Sequence, residues 1–345
     1  MRRPSRGLVI GKFLPPHLGH KYLIDFAASY VDELTVLVCT LEKQPIPGHL
    51  RFDWMRRSFG GVRVLHHSDE NPEEPADAKT PEQFWQLWRA SILSYLDAPP
   101  DFVFASEPYG AALAEVLGAR FIPGDPPREI VPISGTALRD HLGFHWDYLL
   151  PAARPYFARR VAVVGPESRG KSTLAKFLAA RFETKYAAEY ARTYLDAAPT
   201  DITAGALQTI ARGHRASENA VAEQCSGLLF CDTDTLTTKL YAQLFLGSVP
   251  AEIESYAADD RYALTLVTAA TDDWVPDPQW YQPDYAARAE FTRACVSELV
   301  RLGRRYVILE GTWEERTAQA TAAVEEGLVR EKREADWRGP DGVVA

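Results

Sequence analysis

The chain has 345 residues, enough for about two domains. Its 46% hydrophobic and 25% charged residues are the balance of a globular protein that buries its own core. A net charge of −9 argues against a chain whose main work is gripping DNA or RNA, though not against phosphorylated ligands, which need only local positive charge. No stretch approaches the roughly 20 apolar residues of a membrane span, and the basic start MRRPSRGLVIGKF has too short an apolar run for a signal peptide.

The four cysteines, Cys39, Cys225, Cys231 and Cys295, share no CxxC spacing. They are expected to be buried thiols in a reducing compartment, which with the missing span and signal predicts a cytoplasmic address without membrane insertion. In chain order, residues 8–10 form a short apolar run into GKFLPPHLGH, and an amphipathic segment covers residues 21–31. LTVLVCT (34–40) is almost continuously apolar, as in a parallel strand buried on both faces. Further strands are predicted at 62–65 and 102–105, with helical patterns at 49–59 and 81–96 between them. The acidic, proline-rich stretch 67–81 reads as a solvated loop, with a lid as the alternative.

The β-α pattern restarts at Arg160 with VAVVG, which runs into the helical SRGKSTLAKFLAARF. LLFCDTD (228–234), LTLVTA (264–269) and YVILEG (306–311) are three more strands separated by helical segments. The boundary falls near PAARPYFAR, so residues 1–155 and 156–345 are expected to form two α/β domains, each doubly wound around a parallel sheet. No internal repeat is visible, and the polar tail from residue 332 is expected to fray.

GPESRGKS, residues 165–172, matches GxxxxGK[ST] between a strand and a helix. With glycine at ~7% of residues, a chance match somewhere in a chain of this length is about a one-per-cent event. Gly165 and Gly170 let backbone N–H groups curl around phosphate oxygens at a helix N-terminus. Lys171 is expected to reach the β- and γ-phosphates of ATP, Ser172 to ligate Mg²⁺, and Thr173 to complete the ATP-binding set. Asp232 and Asp234 end an apolar strand, where a metal-binding acid sits in nucleotide-binding sheets; either acid can instead cap the helix TLTTKLYAQLF. Asp232 is the metal candidate, and with Glu189 a general-base candidate. Glu189 and Arg192 are placed to hold an acceptor substrate, with a surface ion pair as the alternative.

Upstream, HLGH places His17, Gly19 and His20 at the opening of a helix. A metal pair lacks a third ligand nearby. The preferred reading is stabilisation of the charge that develops when an α-phosphate is attacked and pyrophosphate leaves, with Lys12 adding charge. In ISGTALR, Ser134 and Thr136 lie at a helix start with Arg139 one turn on, suited to β- and γ-phosphates, or Ser134 and Thr136 are simple caps.

Together these segments resemble a known family. GKFLPPHLGH and ISGTALR are similar to the (H/T)xGH and ISxTxxR signatures of nicotinamide-nucleotide adenylyltransferases. GPESRGKST, AAEYAR and CDTDTLTT resemble the kinase half of NadR-type bifunctional proteins, in matching order over roughly residues 5–325. The resemblance implies a nucleotidylyltransferase-type Rossmann-like domain followed by a P-loop ribosylnicotinamide kinase domain. The kinase would convert nicotinamide riboside and ATP to nicotinamide mononucleotide (NMN), and the first domain would join NMN to AMP from ATP, giving NAD. Trp54, Trp85, Trp88 and Trp146 are candidates for stacking on nicotinamide. Some family members carry an N-terminal helix-turn-helix domain. Here the transferase motif begins at Gly11, so no nucleic-acid partner is expected; a homo-oligomer is left open. The family's lid segment departs: DDWVPDPQWYQPDYAAR has no arginine before Arg288, so Arg288 or Arg293 takes the cationic role, or the kinase half is weak. The other readings are a nucleotide sensor built on an active adenylyltransferase, and a similar enzyme pair acting on another mononucleotide.

Overall fold

The computed structural model describes residues 3–197, 201–271 and 284–329. The chain forms two compact units that divide between Ala153 and Arg154. The first contains β1 (Arg6–Gly11), α1 (Leu18–Tyr30), β2 (Glu33–Cys39), α2 (Gly48–Ser58), β3 (Arg63–His67), α3 (Pro81–Tyr95), β4 (Phe102–Ala105), α4 (Tyr109–Leu117), β5 (Arg120–Pro123) and α5 (Gly135–Asp140). All five strands run parallel in the order β3-β2-β1-β4-β5. Alternation along the strands explains the apolar runs. Leu8, Leu37 and Val103 enter one core, under α3 and α4, while Val9, Val36 and Phe104 enter the opposite core, under α1 and α2.

The second unit continues with α6 (Arg154–Phe157), β6 (Arg159–Val164), α7 (Lys171–Arg181), β7 (Lys185–Ala187), α8 (Tyr190–Ala197), α9 (Ala204–Ala222), β8 (Leu228–Asp232) and α10 (Thr235–Leu246). It ends with α11 (Ala251–Ala258), β9 (Tyr262–Thr268), α12 (Tyr285–Arg301), β10 (Tyr306–Leu309) and α13 (Trp313–Val324). Its parallel sheet has the order β10-β9-β6-β8-β7, so the strand preceding the P-loop is again central. All four cysteines are free and buried, as expected. No helix among the described residues is long and apolar enough to cross a membrane.

Three elements carry too little signal to be read from the sequence. β5 is a four-residue edge strand, half-exposed, and β7 has only three residues. α4 begins YGAA because a Cβ at Gly110 would lie 2.5 Å from the Phe121 ring, so close helix–sheet packing, not helix propensity, selects glycine there. LLFCDTD stops being a strand at Asp232, since Thr233 turns to φ 68° and frees Asp234 to start α10. The 67–81 stretch is folded against its own unit. Trp88 Nε1 donates to Pro72 O at 3.0 Å, and Glu73 pairs with Lys12 at 2.9 Å and Lys43 at 2.8 Å.

Arg51, on α2, is fully buried. It donates to Ile46 O at 3.0 Å, Lys12 O at 2.8 Å and Gln44 Oε1 at 2.7 Å, tying the loop after β1 to the loop after β2. Replacing it with leucine strands three acceptors, and we expect a loss of about 3 kcal/mol in chemical denaturation of the full chain. Arg51→Lys should recover little, since an ammonium cannot span the same fork.

Candidate functional site

In the first unit, residues from GKFLPPHLGH and ISGTALR share a cavity of about 1230 Å³ past the carboxyl end of β1. That exceeds the usual ~300–1000 Å³ of a small-molecule pocket. Lys12, His17, Gly19, His20, Ser134, Thr136 and Arg139 all line it. His17 caps α1: the Gly19 N–H donates to His17 Nδ1 at 3.2 Å, and the His17 N–H donates to His20 Nδ1 at 3.2 Å. The rings stack at 3.7 Å. Both Nδ1 atoms are therefore acceptors, which puts the proton of each neutral ring on Nε2. Burial, then the positive charge of Arg128, lowers the His17 pKa to about 4. Burial, His17 and Arg128 hold His20 well below its ordinary value. At neutral pH the pair thus offers two N–H donors and no net charge. Cations must come from elsewhere, and Arg128, Arg139, Lys12 and Lys43 line the same cavity.

Arg139 joins the two motifs across 125 positions of sequence, donating to Leu14 O at 2.7 Å and to Thr136 Oγ1 at 3.2 Å. Ser134 does cap α5, accepting from the Ala137 N–H at 3.0 Å. Lys12 is held by Glu73, whose pKa the hydrogen bonds from Lys43 and Lys12 lower to about 2. Of the four tryptophans, Trp85 and Trp88 line the cavity, while Trp54 and Trp146 are buried in the core.

In the second unit, the loop after β6 takes positive φ at Gly165, Ser168 and Gly170. A Cβ at Gly165 would lie 2.4 Å from Thr268 Oγ1, so only glycine fits there. Lys171 and Ser172 open α7, and Lys171 Nζ donates to Pro166 O at 2.9 Å within the loop. A cleft of about 230 Å³ adjoins the loop, lined by Gly170, Lys171, Ser172, Thr173, Glu189 and Arg192 among others. The two strand-end acids separate. Asp234 caps α10, its Oδ1 accepting from the Thr237 N–H at 2.9 Å and hydroxyl at 3.0 Å. Asp232 is buried beside Val163 of β6, with an Oδ1 that has no hydrogen-bond partner among the described residues. One hydroxyl at Ser172 and one orphaned carboxylate oxygen fit the chemistry of Mg²⁺, which keeps most of its waters. Burial raises the Glu189 pKa against the opposing charge of Lys171.

Residues 160–316 match the family model described as an AAA domain. The trifunctional NAD biosynthesis/regulator protein NadR of Escherichia coli K12 is 29% identical over 334 residues, covering 90% of this chain and 80% of that protein. A nicotinamide-nucleotide adenylyltransferase of Methanocorpusculum labreanum is 28% identical over 154 residues, or 42% of this chain and 85% of that one. A NadR protein crystallised with NR superposes with a TM-score of 0.74 at 23% identity, covering 95% of this chain and 97% of that one. In sequence and in fold, the chain is similar to NadR proteins.

Most of the expected lid segment, residues 272–288, lies outside the described residues. Neither proposed lid arginine lines the cleft among the described residues. Arg288 is buried in α12 with Nη2 3.4 Å from Thr271 O, and Arg293 is exposed and paired with Glu290. Arg169 and Arg192 line it instead. Sequence reading also missed Arg128, Lys43 and His214. The first two lie in irregular segments with no motif, and His214 sits in an ordinary amphipathic helix.

The neutral imidazoles set a pH dependence. His17 takes its proton near pH 4 when folded and near 6.5 when unfolded. Between those values only the unfolded chain binds it, so stability falls as pH falls. At pH 5 this one group should lower the unfolding free energy by about 2 kcal/mol. Urea unfolding at pH 7 and pH 5 checks it. His17→Asn keeps a capping oxygen and should show the smaller drop; coinciding pH dependence in the two proteins would contradict the assignment.

Proposed function

We propose that the chain is a bifunctional enzyme of NAD formation. Its second unit (156–345 by the sequence boundary) phosphorylates nicotinamide riboside with ATP, giving NMN and ADP. Its first unit (1–155) transfers the adenylyl group of ATP to NMN, giving NAD and pyrophosphate. The observation that carries this reading is that each unit has its own phosphate cradle, past the carboxyl end of its own central strand.

In the kinase half, backbone N–H groups of the P-loop and Lys171 hold the β- and γ-phosphates. Ser172 and Asp232 would hold Mg²⁺, which when bound offsets phosphate charge. Glu189 lines the acceptor cleft and Asp232 does not, so Glu189 takes the acceptor hydroxyl and its proton. Its raised pKa brings it closer to a working base. Arg192 sits on the same wall and neutralises the transferring group. Asp234 acts through α10 as its cap, not on substrate.

In the adenylyltransferase half, the NMN phosphate attacks the α-phosphate and pyrophosphate departs. The Nε2–H groups of His17 and His20 donate to the α-phosphate oxygens as charge builds on them. Ser134, Thr136 and Arg139 orient the β- and γ-phosphates, with Lys12 supplying further charge. Trp85 or Trp88 offers the ring face for nicotinamide.

Two variants separate the halves. Lys171→Ala should cut riboside phosphorylation roughly a thousandfold and spare NAD formation from supplied NMN. His20→Ala should do the reverse. Chromatography of products from ATP, Mg²⁺ and either substrate reads both, and loss of both activities in either folded variant would refute the two-site assignment.

A further inference from the structure

His214 lies mid-way along α9 and lines the kinase cleft with Glu189, Arg192 and Tyr241. Its side chain is almost wholly buried, and its Nε2 is 3.1 Å from Glu218 Oε1. Glu218 is itself fixed: it is fully buried, accepts from the Tyr262 hydroxyl at 2.6 Å, and lies between Arg160 at 3.7 Å and Arg261 at 3.5 Å. This arrangement locks the imidazole plane, as a carboxylate behind a functional histidine does elsewhere. The opposite nitrogen, Nδ1, has no hydrogen-bond partner among the described residues. Burial works against a charged ring, but the Glu218 hydrogen bond and charge outweigh it and raise the pKa. With Nε2 committed to Glu218, Nδ1 is the ring atom left to meet a ligand, as an acceptor in the neutral ring and a donor in the charged one.

The surroundings select what that nitrogen meets. Lys171, Asp232, Arg192 and His214 all act electrostatically on Glu189, so His214 is close to the phosphoryl-transfer end of the cleft. A nicotinamide ring is a cation, and an imidazole whose protonation is favoured is a poor neighbour for it. Tyr241 and Phe245, stacked at 5.7 Å with planes 7° apart, line the same cleft and suit the ring better. Between a phosphorylated hydroxyl and a ring lies the ribose.

We propose that His214 is an acceptor-recognition residue, whose Nδ1 hydrogen-bonds one hydroxyl of the vicinal diol of the riboside while Glu189 accepts from the hydroxyl that is phosphorylated. This rests on the riboside-kinase reading above and adds to it a cause of selectivity for intact ribose over deoxyribose.

The test measures kcat and KM of the full chain for nicotinamide riboside and its 2′-deoxy and 3′-deoxy analogues, in wild type, His214→Gln and His214→Asn. Glutamine keeps a nitrogen near Nε2 and so the Glu218 contact, but offers nothing at Nδ1; asparagine carries an amide at the Nδ1 position. Wild type should disfavour one deoxyriboside by roughly 100-fold in kcat/KM, mostly in KM. His214→Gln should lose about that factor on the riboside and less than about threefold on that deoxy analogue, with KM for ATP unchanged. His214→Asn should keep most of the discrimination. Equal loss on all three substrates, or none, overturns the inference and leaves the kinase reading standing. The wild-type arm needs no substitution, so misfolding of a variant cannot shield the idea: comparable use of all three ribosides also overturns it. If wild type binds ATP but phosphorylates no nicotinamide riboside, the kinase reading itself fails and this inference goes with it.

Discussion

Both sheets are covered on both faces, and that burial dictates where chemistry can occur. β1 and β6 are the central strands and are buried along most of their length, so a polar ligand can meet them only past their carboxyl ends. There the chain turns into α1 or α7, whose first N–H groups lie at the strand ends. The position of each of these sites is therefore a consequence of the parallel topology before any special side chain is considered. The long-range ties, Arg139 to Leu14 O and Arg51 to Lys12 O, hold the turn after β1 in place.

Within the first cradle, the work divides between groups that donate and groups that carry charge. His17 and His20 cap α1 through their Nδ1 atoms, which commits their protons to Nε2 and makes further protonation costly. Two neutral donors are an arrangement suited to charge that appears only during reaction: they need no counter-ion beforehand and no reorganisation when it forms. Arg128 and Arg139 lie on the same cavity wall, and Arg128 helps keep the imidazoles neutral.

The second cradle sorts three acids by position. Asp234 is consumed by helix capping, Asp232 is buried with an open oxygen next to the P-loop strand, and Glu189 lines the cleft beside the P-loop. Behind that cleft, Glu218 gathers His214, Tyr262, Arg160 and Arg261. A buried ionic group of this kind is weak grounds for stability, since desolvation offsets its attraction. Its evident effect is to fix the orientation of a ring at the cleft wall.

The sequence alone determined the two α/β units, the phosphate loops and the residue types at them. Those features are local: apolar runs, glycines where φ must be positive, and a lysine and serine at fixed spacing from them. Tertiary structure decided what depends on distance across the chain. It split the roles of Asp232 and Asp234 through the turn at Thr233, left Trp85 and Trp88 at the cavity while burying Trp54 and Trp146, and folded the 67–81 stretch onto Lys12 and Lys43. It also brought in Arg51, Arg128 and His214, whose local patterns are those of ordinary helix and loop residues. The physical reason is that burial and electrostatic partnership belong to pairs of segments, and His214 acquires its character only from a carboxylate that two arginines and a tyrosine hold beside it.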